Sequence, residues 1–148
     1  MRISAKGRYA LAAIISMAQN YNNGEYITVI SISERLGISK IYLEQVFSLL
    51  KRGGLVNSIK GAQGGYHLAR TPQQITVFDI MSAVELSLFE TAGETVFAKC
   101  PEIETAMRVF AFDALDNAIK TTLQRITLND LVNEAEKYKK DQGLMYFI

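Results

Sequence analysis

The stretch "LVNSIKGAQGGYHLAR", residues 55–70, carries a loop with three glycines in five positions, Gly61, Gly64 and Gly65. A glycine loop that cradles a nucleotide's phosphates lies between a strand and a helix, because the helix N-terminus holds the anion. Behind this loop come Tyr66, His67 and Leu68, which read as a second strand. The stretch is therefore a β-hairpin, and its purpose depends on what precedes it.

Upstream, Lys6 to Tyr21 places Leu11, Ile14, Ile15 and Ala18 at helical spacing, and "NYNNGE" stops that helix. Thr28 caps a short second helix through Leu36, and Gly37 turns the chain. Ser39 then caps a third helix from Lys40 to about Arg52, which Gly53 and Gly54 terminate. The order helix, helix, turn, helix, hairpin is that of a winged helix-turn-helix. The expected fold class is mainly α with a small β-hairpin: a winged helix-turn-helix head over residues 1–85, followed by a second region over residues 86–148.

Downstream, "TPQQ" breaks the pattern and Thr76 with Asp79 forms a capping box for a fourth helix. Residues 86–99 read as a loop. From Pro101 to Ile126 an apolar stripe runs through Ile103, Met107, Phe110, Ala114, Ala118 and Ile126, widened by Phe112, Leu115, Ile119 and Leu123. So long an apolar face outreaches a head of this size, which predicts a dimerisation helix; the alternative is a helix packed within its own core. Thr127 and Asp130 cap a last helix to about Lys140, and the chain ends in the tail "DQGLMYFI".

The chain's 148 residues, 49% of them apolar, suffice for one core and an appended element. Its net charge of +1 conceals a division. Residues 1–75 hold nine Lys/Arg against three Asp/Glu, a net of +6, whereas residues 76–148 hold seven against twelve, a net of −5. A basic front predicts a polyanion partner. No basic, apolar leader opens the sequence and no apolar run approaches the ~20 residues of a bilayer span, so a cytoplasmic protein without a membrane partner is expected.

An enzyme is not expected. Cys100 is the single cysteine, His67 the single histidine, and Glu102 and Glu104 lie on different helix faces. One thiol makes no intramolecular disulfide and by itself anchors no metal or cluster, so no cofactor is expected.

Duplex DNA fits the parts. Its major groove admits one helix, and a hairpin beside that helix reaches backbone or minor groove. Ser39, Lys40, Tyr42, Glu44 and Gln45 occupy the first two turns of the third helix, with Leu43, Val46, Phe47 and Leu50 on its core face. Gln45 can address adenine and Glu44 can accept from cytosine N4. Arg2, Lys6, Arg8, Lys51 and Lys60 supply affinity for phosphates, Lys60 being placed to enter a minor groove. Ser58, Gly61, Gly64, Gly65 and Tyr66 complete the set, the glycines permitting positive φ and close backbone approach. Two alternatives stay open: Tyr42 as a core tyrosine, and the hairpin as a turn that binds nothing. A winged-helix protein-interaction module and a redox sensor using Cys100 are the rival functions.

The segments "MRISAKGRYAL", "ISKIYLEQVFSLLKRGGLVNSIKGAQGGYHLAR" and "ITLNDLVNEAE" resemble the family of winged-helix regulators that includes IscR, NsrR and CymR. The resemblance covers nearly the whole chain and implies a homodimeric transcriptional regulator whose long helices cross, each head carrying a recognition helix and a wing. One recognition helix per chain and the long apolar helix predict two half-sites, an imperfect palindrome; a repressor is expected, with activation the open alternative. Many members hold an iron–sulfur cluster through three cysteines. Aligned back from "ITLNDLV", those positions fall on Glu94, Cys100 and Ala106, and a histidine position on Val109, which implies a cluster-free protein. The cluster-free cysteine-metabolism repressor is the branch most resembled. The terminal "MYFI" is part of that resemblance, which implies cysteine synthase (O-acetylserine (thiol) lyase) as a partner for Tyr146, Phe147 and Ile148; a tail packed on its own dimer is the other reading.

Overall fold

Each helix of the N-terminal region starts where a hydroxyl satisfies an end N–H. A computed structural model describes residues 2–21, 25–61 and 64–146. Ser4 Oγ accepts from the Gly7 N–H at the start of α1 (Ala5–Gln19), and Thr28 Oγ1 from that of Ser31 at the start of α2 (Val29–Leu36). Ser39 Oγ accepts from the Tyr42 N–H to open α3 (Lys40–Arg52). Gly37, at φ +67°, ends α2 in the left-handed conformation and makes the tight turn into α3. Strand β1 (Val56–Ile59) then pairs antiparallel with β2 (Gly65–Leu68), Ser58 opposite Tyr66. The winged helix-turn-helix order is thus present.

Leu43, Val46, Phe47 and Leu50 of α3 are fully buried, at helical spacing on one face. They meet Ala10, Ala13, Ile14 and Met17 of α1, Ile32 of α2, and Leu55, Val56 and Leu68 of the hairpin region. Arg35 locks α2 to α1 on the outside, donating to Ser16 Oγ at 2.9 Å and to Gln19 Oε1 at 2.6 Å.

A 3-10 turn (Pro72–Gln74) leads to α4 (Val77–Val84). The Thr76–Asp79 capping box is formed in both directions, at 3.0 and 3.1 Å. A second box, Thr127–Asp130, opens α7 (Leu128–Tyr146). The two starts lie side by side, Thr76 bridging Thr127, with the Val77 N–H donating to Ile126 O and the Leu128 N–H to Ile75 O, both at 2.8 Å. Leu128 is thereby buried in the head's own core and α7 packs along α1. No helix among the described residues is long and apolar enough to cross a membrane.

Three expectations are corrected. The helix from Pro101 is continuous but not uniformly α: α5 (Pro101–Ala106) passes through a π-helical segment (Met107–Phe112) into α6 (Asp113–Arg125). A π turn closes i→i+5 hydrogen bonds, so Phe110 is followed on its face by Leu115 rather than Ala114. The last helix does not end near Lys140 but continues to Tyr146, so most of the supposed tail is helical; Phe147 and Ile148 lie outside the described residues. Of the three hairpin glycines only Gly64, at φ +38°, has positive φ.

Gly65 serves a different purpose. A Cβ on it would sit 3.1 Å from the carbonyl oxygen of Ile27, whereas one on Gly61 would meet open space. Gly65→Ala should therefore cost about 1–3 kcal/mol through overpacking, and Gly61→Ala, at a position without positive φ, should be close to silent; urea unfolding of both variants checks the contrast.

Candidate nucleic-acid interface

The close approach at Gly65 exists because Ile27, in the connection between α1 and α2, pairs with the wing. Ile27 and Tyr66 exchange two backbone hydrogen bonds, at 2.8 and 2.9 Å. The Tyr66 ring stacks on Phe47 of α3, centroids 4.7 Å apart and planes 17° from parallel. One residue thus joins the hairpin to the third helix and to the start of α2.

These links enclose an open groove of about 780 Å³. One wall is α3 through Lys40 and Glu44, the floor is β1 and β2, and the far wall is Thr28, Val29 and Ile30 at the start of α2. Of the residues expected at a DNA site, Lys40, Glu44, Ser58, Gly61, Gly64, Gly65 and Tyr66 come together here. Gln45 is exposed on α3 beside the groove, and Ser39 serves as the α3 cap. Lys51 and Lys60 are exposed at the end of α3 and after β1. Arg2, Lys6 and Arg8 are exposed around the start of α1 and are not among the groove-lining residues.

Local contacts limit what some of these side chains do. Lys40 Nζ lies 3.8 Å from Glu44 Oε1, both side chains half in water. An exposed pair of this kind is worth little, so both side chains stay available to other partners. Tyr42 is half-buried, its ring edge-on to Tyr9 at 5.0 Å, which gives it a packing role. His67 packs edge-on against Tyr26 at 4.4 Å. Arg70, a basic neighbour of the hairpin, is 3.7 Å from Asp79 and donates to Gln74 O, so it braces α4.

Sequence reasoning missed the α2 wall. Thr28 was legible as a cap, but its place at the groove follows from the Ile27–Tyr66 pairing, which joins residues far apart in the chain. The first N–H groups of α2 lack intrahelical acceptors and form the positive end of its dipole, a suitable partner for a phosphate oxygen. Ile30 and Ile59, both exposed, also line the groove.

Comparison with known proteins agrees with this geometry. The family model described as "Rrf2: Iron-dependent Transcriptional regulator" matches residues 3–134. The HTH-type transcriptional regulator IscR of Cronobacter sakazakii is 38% identical over 136 residues, covering 92% of this chain and 83% of that protein. Among solved structures, T. potens IscR aligns with a TM-score of 0.72 and 36% identity over 99% of this chain and 96% of its own. CymR, the global cysteine regulator of B. subtilis, aligns at 0.67 and 34% identity, over 90% and 98%.

Exposed Gln45 and exposed Lys60 should fail differently. Gln45→Ala should lose about 1–3 kcal/mol on the preferred duplex and relax base choice at one position per half-site, while Lys60→Ala should weaken all duplexes evenly and lower the salt slope by about one. Binding titrations on specific and random duplexes at several salt concentrations separate the two.

Proposed function

The chain belongs to the Rrf2 family of transcriptional regulators, whose members bind DNA and are not enzymes, and from that premise we propose that it is a homodimeric, cluster-free repressor controlling cysteine or sulfur metabolism in the cytoplasm. The observation that carries the DNA-reading part is the groove, where the first turn of α3, the start of α2 and the wing converge on the basic half of the chain. Each chain presents one such surface. A dimer with a two-fold axis reads two half-sites, hence an imperfect palindrome.

The long helix supports the dimer. Phe110 is 88% exposed and Leu115 60% exposed, with Ile103, Val109 and Phe112 also exposed and Ala114 and Ala118 beside them. Met107, Ile119, Leu123 and Ile126 are half-buried, and α6 packs against α4 on the other side. An apolar band of this length on one helix marks a surface that a second chain covers.

The family's description includes iron, and the donor set here does not fit a cluster. Glu94 is exposed, Cys100 is half-buried as the one thiol, and Ala106 and Val109 supply no ligand atom. Among the described residues no group of three or more His, Cys, Asp or Glu side chains is placed to hold a metal. Buried Glu104 instead accepts from the N–H groups of Thr95 and Val96 at 3.1 and 2.8 Å, so a carboxylate ties this loop to the helix. Similarity to CymR, together with this donor set, supports the cysteine assignment.

Genomic fragments captured by the purified protein should share an imperfect palindrome and lie beside genes of cysteine or sulfur metabolism; fragments from unrelated genes would remove that assignment. Phe110→Glu should be monomeric by light scattering and lose the captured fragments. Anaerobic reconstitution with iron and sulfide should leave no stoichiometric cluster absorbance in the visible range, and a stable coloured product would reverse the cluster-free reading.

A further inference from the structure

Ile41 is 73% exposed in the first turn of α3, although the helix's other apolar side chains face inward and Leu43, Val46, Phe47 and Leu50 are fully buried. With 3.6 residues per turn, Ile41 lies directly opposite that core face, and Gln45, Ser48 and Arg52 follow it at i+4, i+7 and i+11. All four are exposed. The outermost ridge of α3 therefore reads isoleucine, amide, hydroxyl, guanidinium from its N-terminal end.

We propose that Ile41 is a specificity-determining residue that packs against the 5-methyl group of a thymine in the major groove, next to the base addressed by Gln45. This rests on the assignment of α3 as the reading helix. An apolar side chain has one complementary feature to meet on the major-groove edge, because thymine alone carries a methyl group there while the other bases present donors and acceptors. The N-terminal residues of a recognition helix are the ones that reach base edges, and Ile41 is the second residue of α3. Its flanks argue for DNA as the occupant. Lys40 precedes it, Gln45 and Arg52 share its ridge, and the groove walled by Lys40 and Glu44 adjoins it. Burying one methyl group against an apolar side chain is worth about fourfold in affinity.

The test uses the duplex that the full-length protein selects from a random pool, with each thymidine replaced in turn by deoxyuridine, which lacks only the methyl. The wild-type protein should lose about fourfold at one thymine per half-site. Ile41→Ala should bind the parent duplex more weakly by a similar factor and should be insensitive to deoxyuridine at that same position. Unchanged melting of the variant, whose altered side chain is exposed, confirms that the fold is intact. Equal deoxyuridine sensitivity of both proteins at every position overturns the Ile41 assignment while leaving α3 as the reading helix. Absence of any selective duplex binding by the wild-type protein overturns the reading helix and the inference together.

Discussion

Tyr66 connects three parts of the head that are distant in sequence. Its backbone exchanges hydrogen bonds with Ile27 at 2.8 and 2.9 Å, and its ring lies flat on Phe47. A two-stranded hairpin is marginal in water by itself, and these links supply what the hairpin lacks. The pairing draws the start of α2 toward the wing, and the stacking sets the wing's distance from α3. The groove is the space left between them. Gly65 is a condition of the arrangement, since a side chain there would meet the Ile27 carbonyl.

A second constraint joins the head to the long helix. The capping boxes of α4 and α7 sit against each other through Thr76 and Thr127, and Leu128 enters the head's core. Loop residue Phe89 is held between Phe78 of α4 and the Lys120 ammonium of α6, at 5.5 and 5.2 Å. Glu104 closes the other end of the same loop. The loop is therefore pinned at both ends by side chains. In the proposed dimer, such anchoring lets the long helices set the separation and orientation of the two reading helices, which is the quantity a palindrome measures.

Charge and shape divide the work along the chain. Apart from Arg35 on α2, the basic residues of the front half lie around α1, α3 and the wing, and the acidic excess lies behind residue 75. Among the described groove-lining residues the one acidic side chain, Glu44, is balanced by Lys40 a turn earlier. A carboxylate there repels phosphates, so in the proposed DNA complex Glu44 would discriminate between bases, with attraction left to the surrounding cations and the α2 dipole.

The local elements were legible because their signals are local. Thr28, Ser39, Thr76 and Thr127 cap helices within three residues of themselves, and Gly37 needs only its own φ to make the turn, whereas the Ser4 cap of α1 was not read. Burial of the α3 core face followed from spacing alone. Three features were not legible. The Ile27–Tyr66 pairing and the α2 wall it creates depend on two segments about 40 residues apart meeting in space, for which a cap or a turn residue gives no sign. The π segment at Met107–Phe112 shifts the phase of the long helix by about one residue, and apolar spacing assumes a constant 3.6-residue period. Gly65's role likewise came from a neighbouring backbone rather than from its own φ. Local signals set where the capped helices and the hairpin strands begin and which face of α3 is buried, because those depend on hydrogen bonds and periodicity within a few residues. Which side chains share the groove was settled in three dimensions, because that depends on which distant backbones can approach within hydrogen-bonding distance.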